Sequence, residues 1–240
     1  MPSAHSPHPS PFFPFIEVWY DSSAVKIAQF PTRAVLFDWD GTLLNSYEAD
    51  LRAYLSMFHA LGIKWTEREL AQHYSPNWLR VYRAALLPRS KWLEADRLWM
   101  RAYKQENPPL LAGAERVVRL LAQKYDLGIV TSGNRSRVRR QLRKLELASY
   151  FSACVCSEDA AKKKPHPAPL QLALKRLRRD PQDCVYVGDT AEDVEMARRA
   201  GVRAIGVLGP FPTAARLRAA NPEVLLNSVQ ELPKYLRSMS

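Results

Sequence analysis

Cysteine is scarce in this chain: Cys154, Cys156 and Cys184 are the only three. The number is odd and no spacing among them matches a zinc site, so neither a disulfide framework nor a structural zinc is supported. Cys154 and Cys156 lie two apart in an apolar run, which on a strand puts both on one face as buried, reduced thiols. Long apolar runs are missing as well. No window approaches the roughly 18 residues that a membrane helix needs. The apolar patch from Phe12 to Tyr20 is broken by Pro14 and Glu17 and has no basic lead-in, which argues against a secretory signal. The expected location is therefore the cytoplasm, with no membrane partner.

Recognised nucleic-acid motifs and internal repeats are absent too, and this bears on the formal charge of +11. Much of the excess sits in Arg135 to Lys144 and in Lys175 to Arg179. Both stretches carry an apolar stripe: Val138, Leu142 and Leu145 in one, Leu170, Leu174 and Leu177 beside the other. Solvated faces of amphipathic helices account for these arginines without nucleic acid. A basic surface would still draw anionic substrates over long range.

Residues 1–31 open with a proline-, serine- and histidine-rich text without helix or strand period, which predicts a disordered or loosely docked leader. The pattern changes at Arg33. Ala34 to Phe37 is a short apolar run of the buried-strand kind and ends in Asp38-Trp39-Asp40-Gly41-Thr42. From Ser46 to about Glu106 the text is helical, with Leu51, Tyr54, Leu55 and Phe58 on one stripe, until Pro108-Pro109 breaks it. Four of the six tryptophans fall there, enough to build a small helical core. Beyond Pro109, short apolar strands alternate with single helices, which predicts crossover units and a parallel sheet. The expected fold class is α/β: a Rossmann-like parallel sheet with helices on both faces, and a helical lobe inserted after the first strand. Residues 32–45 and 108–240 form the core in this scheme and 46–107 the insert.

Parallel sheets of this type bind ligands beyond the carboxyl ends of their strands. The predicted strand ends deliver Asp38 and Asp40, then Thr131-Ser132-Gly133-Asn134, then Gly188-Asp189-Thr190 with Asp193 one turn on. Lys162-Lys163-Lys164-Pro165 precedes a helix. Asp38, Asp40, Asp189 and Asp193 cannot share a small volume at neutral pH unless a cation holds them. All-oxygen ligands with room for waters and a phosphate favour Mg2+. The Thr131 hydroxyl, backbone N–H groups around Ser132 and Gly133, and a lysine ammonium suit three phosphoryl oxygens. A carboxylate nucleophile forming an aspartyl-phosphate needs a second acid/base, and Asp40 is placed for it.

Together these segments resemble the haloacid dehalogenase-like hydrolase superfamily, and most nearly its phosphoglycolate phosphatase-like branch. The resemblance runs from Phe37-Asp38-Trp39-Asp40-Gly41-Thr42-Leu43 through Thr131 and Lys164-Pro165 to Gly188-Asp189-Thr190-Ala191-Glu192-Asp193, and spans roughly Ala34 to Leu236. It implies that Asp38 is the nucleophile and Asp40 the general acid and then base. Thr131 and Ser132 would bind the phosphoryl group and Lys164 would screen its charge. Asp38, the backbone oxygen of Asp40, and Asp189 would hold magnesium, with Asp193 in direct or water-mediated support. The insert would be the helical cap that closes over the substrate, and Tyr74, Ser75, Asn77, Arg80 and Arg83 its specificity candidates, with Arg80 or Arg83 suited to a substrate carboxylate. Trp39 would point away from the site. Asn45 stands where many relatives have Asp, which touches the cap hinge rather than the chemistry.

The expected activity is Mg-dependent hydrolysis of a small phosphorylated metabolite, a phosphoglycolate-like phosphomonoester. A phosphomutase acting on a sugar phosphate through the same aspartate is the alternative, and a binding protein that keeps the fold is a third. The presence of Asp40 argues against dehalogenase chemistry. Monomer and homodimer are both compatible with the sequence.

Overall fold

Strand β1, Ala34–Phe37, is buried at every residue. That follows from its place at the centre of a sheet covered on both sides. A computed structural model describes residues 32–239, so the leader expected at 1–31 lies outside the described residues. The other strands are β2 (Asp126–Val130), β3 (Phe151–Val155), β4 (Cys184–Gly188), β5 (Arg203–Val207) and β6 (Val224–Leu226). They form one six-stranded sheet in the order β3-β2-β1-β4-β5-β6, and every pairing is parallel. The α/β class predicted from alternating helix and strand patterns is the one observed.

Successive side chains along β1 point to opposite faces and so enter two cores. Val35 and Phe37 join a cluster with α5 (Ala114–Leu121), α6 (Arg135–Lys144) and α10 (Leu232–Ser238). Ala34 and Leu36 join a second with α7 (Ala168–Leu177), α8 (Ala191–Arg199) and α9 (Ala214–Ala219). Between β5 and β6 the short helix α9 forms, its Leu217 fully buried in the second cluster. Six residues hold too little periodicity to announce a helix.

Between β1 and Pro108 the chain is helical but not continuous. It runs through α1 (Tyr47–Ala60), α2 (Glu67–His73), α3 (Trp78–Ala84) and α4 (Trp92–Tyr103). Gly62, Pro76 and Pro88 mark the breaks. These helices enclose a cluster of their own: Tyr54, Phe58, Leu70, Val81 and Tyr82 are buried, with Trp65, Trp78, Trp92 and Trp99 packed against it. The tryptophans therefore build a core, as their density suggests. Strand order reverses across β1, between β2 and β4, so the crevice at their carboxyl ends is the switch point of the sheet.

Candidate active site

The residues leaving β1 and β4 converge at that switch point. Asp38 follows β1 directly and is 4% exposed; Asp189 follows β4 and is fully buried. Thr190 caps α8 in a reciprocal box, its hydroxyl and N–H donating to Asp193 while it accepts from the Asp193 N–H. The cap aims Asp193 back at the strand ends. Lys164 arrives from the β3–α7 connection, 2% exposed. Its ammonium donates to Asp38 Oδ1 at 2.7 Å, to Asp193 Oδ1 at 2.8 Å and to the Tyr186 hydroxyl at 2.8 Å. Three residues predicted from three distant segments, Asp38, Lys164 and Asp193, are thus in one contact set.

Carboxylate oxygens of Asp38, Asp189 and Asp193 all lie within 4.8 Å of one another. Burial raises the Asp38 pKa to about 7, with Lys164 pulling it down and Asp193 pushing it up. Burial also raises Asp189, reinforced by Asp38 and Asp193. One ammonium does not neutralise this set. Asp189 Oδ1 accepts from the Thr42 hydroxyl at 3.1 Å, but its Oδ2 is buried with no hydrogen-bond partner. An orphaned carboxylate oxygen among raised carboxylates fits a hard divalent cation. Gly41 lets the β1 loop pass: φ is +82°, and a Cβ there would stand 2.4 Å from Asp189 Oδ2.

Asp40 is held outside the acidic set. Arg137 grips its carboxylate bidentately, Nη1 to Oδ1 at 2.8 Å and Nη2 to Oδ2 at 2.6 Å. Burial alone would raise Asp40, but this guanidinium holds it below the usual carboxylate range. Arg137 itself lies against the rings of Tyr103 and Trp99, 4.8 and 5.8 Å from their centroids. Sequence reasoning missed this residue by counting all of Arg135 to Lys144 as solvated. Arg139, Arg140 and Arg143 are exposed, whereas Arg137 shares the buried face with Val138, Gln141 and Leu142. Trp39 is fully buried in the core and donates to Gln141 Oε1 at 3.0 Å.

Thr131 is 5% exposed and lies beside Ser132 on the wall of a cavity of about 240 Å³. Asp38, Asp40 and Arg137 complete its core side, while Asp50, Tyr54, Tyr82, Asp96 and Trp99 come from the insert. The Thr131 hydroxyl accepts from the Gly133 N–H at 2.9 Å. The insert is docked on the core through Tyr74 to Arg80. Glu192 accepts from Ser75 Oγ at 2.8 Å and from Arg80 at 3.3 Å. Arg216 donates to the Tyr74 carbonyl at 2.6 Å, and the rings of Tyr74 and Phe211 stack 4.6 Å apart. Asn77 reaches the Lys164 carbonyl at 3.5 Å. Of the specificity candidates, Tyr74 and Ser75 line the cavity. Arg80 is turned to Glu192 and Arg83 to the Trp92 ring, because each has a nearer partner outside the cavity. The carboxylate-binding role expected of these two arginines is not what their geometry serves.

Cys154 and Cys156 stay free, their sulfurs 3.7 Å apart. No helix among the described residues is long and apolar enough to cross a membrane.

Residues 35–207 match the family model described as haloacid dehalogenase-like hydrolase. A pyrophosphatase, PpaX of Bacillus pumilus, is 30% identical over 205 residues, covering 82% of this chain and 93% of its own. Among solved structures, a predicted phosphoglycolate phosphatase from Haemophilus somnus superposes with a TM-score of 0.75 at 20% identity, over 87% of this chain and 99% of that one. CbbY from Rhodobacter sphaeroides, solved in complex with phosphate, gives 0.72 at 24% identity over 84% and 96%. A family match across most of the chain, on the fold and strand ends described above, makes this protein a haloacid dehalogenase-like hydrolase.

Proposed function

We propose that the protein is a magnesium-dependent phosphatase of small phosphorylated metabolites that works through an aspartyl-phosphate on Asp38. The observation that carries this is the contact set at the switch point: a buried carboxylate, Asp38, 2.7 Å from a buried ammonium, beside an orphaned oxygen of Asp189. Asp38, Asp189 and the backbone oxygen of Asp40 would hold Mg2+, with Asp193 in support. When bound, the ion supplies charge that lets an anionic nucleophile approach an anionic phosphate.

The residues then divide the work. An Asp38 carboxylate oxygen attacks phosphorus, and the bond from phosphorus to the leaving oxygen breaks. Asp40 delivers a proton to that oxygen. Lys164, Thr131 and Ser132 hold the phosphoryl oxygens in place; positioning and charge neutralisation do most of the work in such transfers. In the second half, Asp40 takes a proton from water as the water attacks phosphorus. The Asp38–phosphorus bond breaks and inorganic phosphate leaves. Carrying a proton requires Asp40 to loosen its grip on Arg137, since that pair favours the carboxylate form.

Docking of the insert by Ser75 and Arg80 on Glu192 supports its assignment as a cap over the substrate, spanning 46–107. The free thiols and the lack of a membrane-length helix among the described residues agree with the cytoplasm. The test is inorganic phosphate release from a panel of phosphorylated metabolites, with and without Mg2+, wild type beside Asp38→Asn. Release should need the metal and vanish in the variant. Release that persists in EDTA or in folded Asp38→Asn would remove the covalent scheme. Activation by a bisphosphorylated sugar without net phosphate release would favour the mutase instead.

A further inference from the structure

The chamber has two halves of different origin. Its core half carries Thr131 and Ser132, two of the groups assigned to the phosphoryl oxygens. Its insert half, where the leaving group must sit, presents rings and the carboxyl groups of Asp50 and Asp96; among the described residues no lysine or arginine of the insert lines it, and the lining arginine, Arg137, belongs to the core. Nearby cations are engaged elsewhere. Arg137 is committed to Asp40 through two hydrogen bonds, and Arg80 to Glu192. Arg83 lies over the Trp92 ring, and Lys163 donates to the Ser157 and Ala160 carbonyls.

Asp96 is satisfied in part, accepting from the Tyr82 hydroxyl at 2.8 Å. Asp50 is different. It lines the cavity from the first turn of α1, yet its carboxyl has no hydrogen bond or ion pair among the described residues. Burial, then the nearby Asp40, pushes its pKa up to about 8 against the pull of Arg137. Once ionised, a carboxyl in that position lacks a donor, and a further anion beside it would be desolvated and repelled without compensation.

Resting on the phosphatase function proposed above, we propose that Asp50 determines specificity: it receives a hydroxyl or amino hydrogen of an uncharged leaving group. Phosphomonoesters whose leaving group is itself an anion are disfavoured. A site built around such a hydrogen bond discriminates strongly against analogues that cannot make it. The rings of Tyr54, Tyr82 and Trp99 supply apolar surface for the carbon skeleton.

Glycerol 1-phosphate and phosphoglycolate form a suitable pair, since their leaving groups are close in size but one is a neutral alcohol and the other a carboxylate. The experiment measures kcat and KM for both at pH 9, above the raised Asp50 pKa, with pyrophosphate and p-nitrophenyl phosphate alongside, on the wild type with Mg2+. The glycerol ester should lead phosphoglycolate and pyrophosphate by about tenfold or more in kcat/KM. In Asp50→Asn at the same pH that preference should shrink at least about fivefold, chiefly through KM, because the ionised carboxylate that repels the leaving group's charge is gone. Circular dichroism reports whether the variant is folded, and Asp50→Ser stands in if it is not. A wild type that prefers phosphoglycolate or pyrophosphate overturns the proposal, as does an unchanged preference in the folded variant. Turnover of p-nitrophenyl phosphate in those cases leaves the phosphatase function standing. Its absence, together with silence across the panel, overturns both.

Discussion

Replacing Lys164 with Met removes one ammonium from three partners at once. The side chain is 2% exposed, and those of Asp38 and Asp193 are 6% and 1%. Methionine fills much the same volume, so the loss is electrostatic rather than a cavity. Breaking a buried pair by removing one partner typically costs about 3–5 kcal/mol, because the other charge stays behind uncompensated. For a protein of this size that is a fall in Tm of about 6–20 °C. The assay is thermal unfolding at pH 7.5 in EDTA, wild type beside Lys164→Met. Saturating Mg2+ should recover part of the difference, since binding only to the folded state stabilises it. Lowering the pH to 5.5 should also narrow the gap, because Asp38 and Asp189, already raised by burial, then protonate more readily. A Tm change under about 2 °C in EDTA, less than 1 kcal/mol, would refute the assignment of Lys164 as the cluster's counter-charge.

Three further outcomes follow from the same geometry. Burial pushes Asp38 up to about 7 and Asp50 up to about 8, well above the ordinary carboxylate range, so the folded state binds more protons than the unfolded state across that window. Metal-free stability should therefore be greatest near pH 4–5 and fall as pH rises to 8; urea unfolding in EDTA checks this, and a rising slope would contradict it. Arg137→Met removes the two hydrogen bonds that orient the Asp40 carboxyl toward the cavity and should lower kcat by about tenfold or more, with Arg137→Lys recovering little because it lacks the fork; steady-state kinetics with a matched Lys variant measures both. Gly41→Ala puts a Cβ 2.4 Å from Asp189 Oδ2 at φ +82°, so Mg2+ affinity by calorimetry should drop about tenfold or more, and unchanged affinity would mean that Asp189 is not a ligand.

Asp38, Thr131, Lys164 and Asp189 were legible in the sequence for a structural reason. Each stands next to a short apolar strand or a helix start, and parallel strands bring their carboxyl ends to one edge whatever lies between. Position along an element therefore gave position in space. The insert offers no such rule. Its helical period was visible and its tryptophans identified a core, but the period does not say which residue of a surface stripe meets another domain. Arg80 and Arg83 stand out in the sequence by charge and fork geometry, and both have partners outside the cavity.

Arg137 shows where the boundary of legibility lies. It belongs to a run with Arg135, Arg139, Arg140 and Arg143, and composition treats all five alike. The helical period does separate them: Arg137, Val138, Gln141 and Leu142 fall on one face, and that face is the buried one. An arginine on a buried stripe needs a carboxylate or phosphate, because an uncompensated guanidinium there is costly. The nearest strand end supplies Asp40. The inward orientation of Arg137 was thus present in the spacing of its neighbours; only the identity of its partner required the fold. Asp50 follows the same logic with the opposite sign. It sits four residues before Tyr54 on the face that turns toward the chamber, a carboxyl whose partner is missing from the chain among the described residues. Arg137 is answered from within the protein; for Asp50 the proposed donor comes with the substrate.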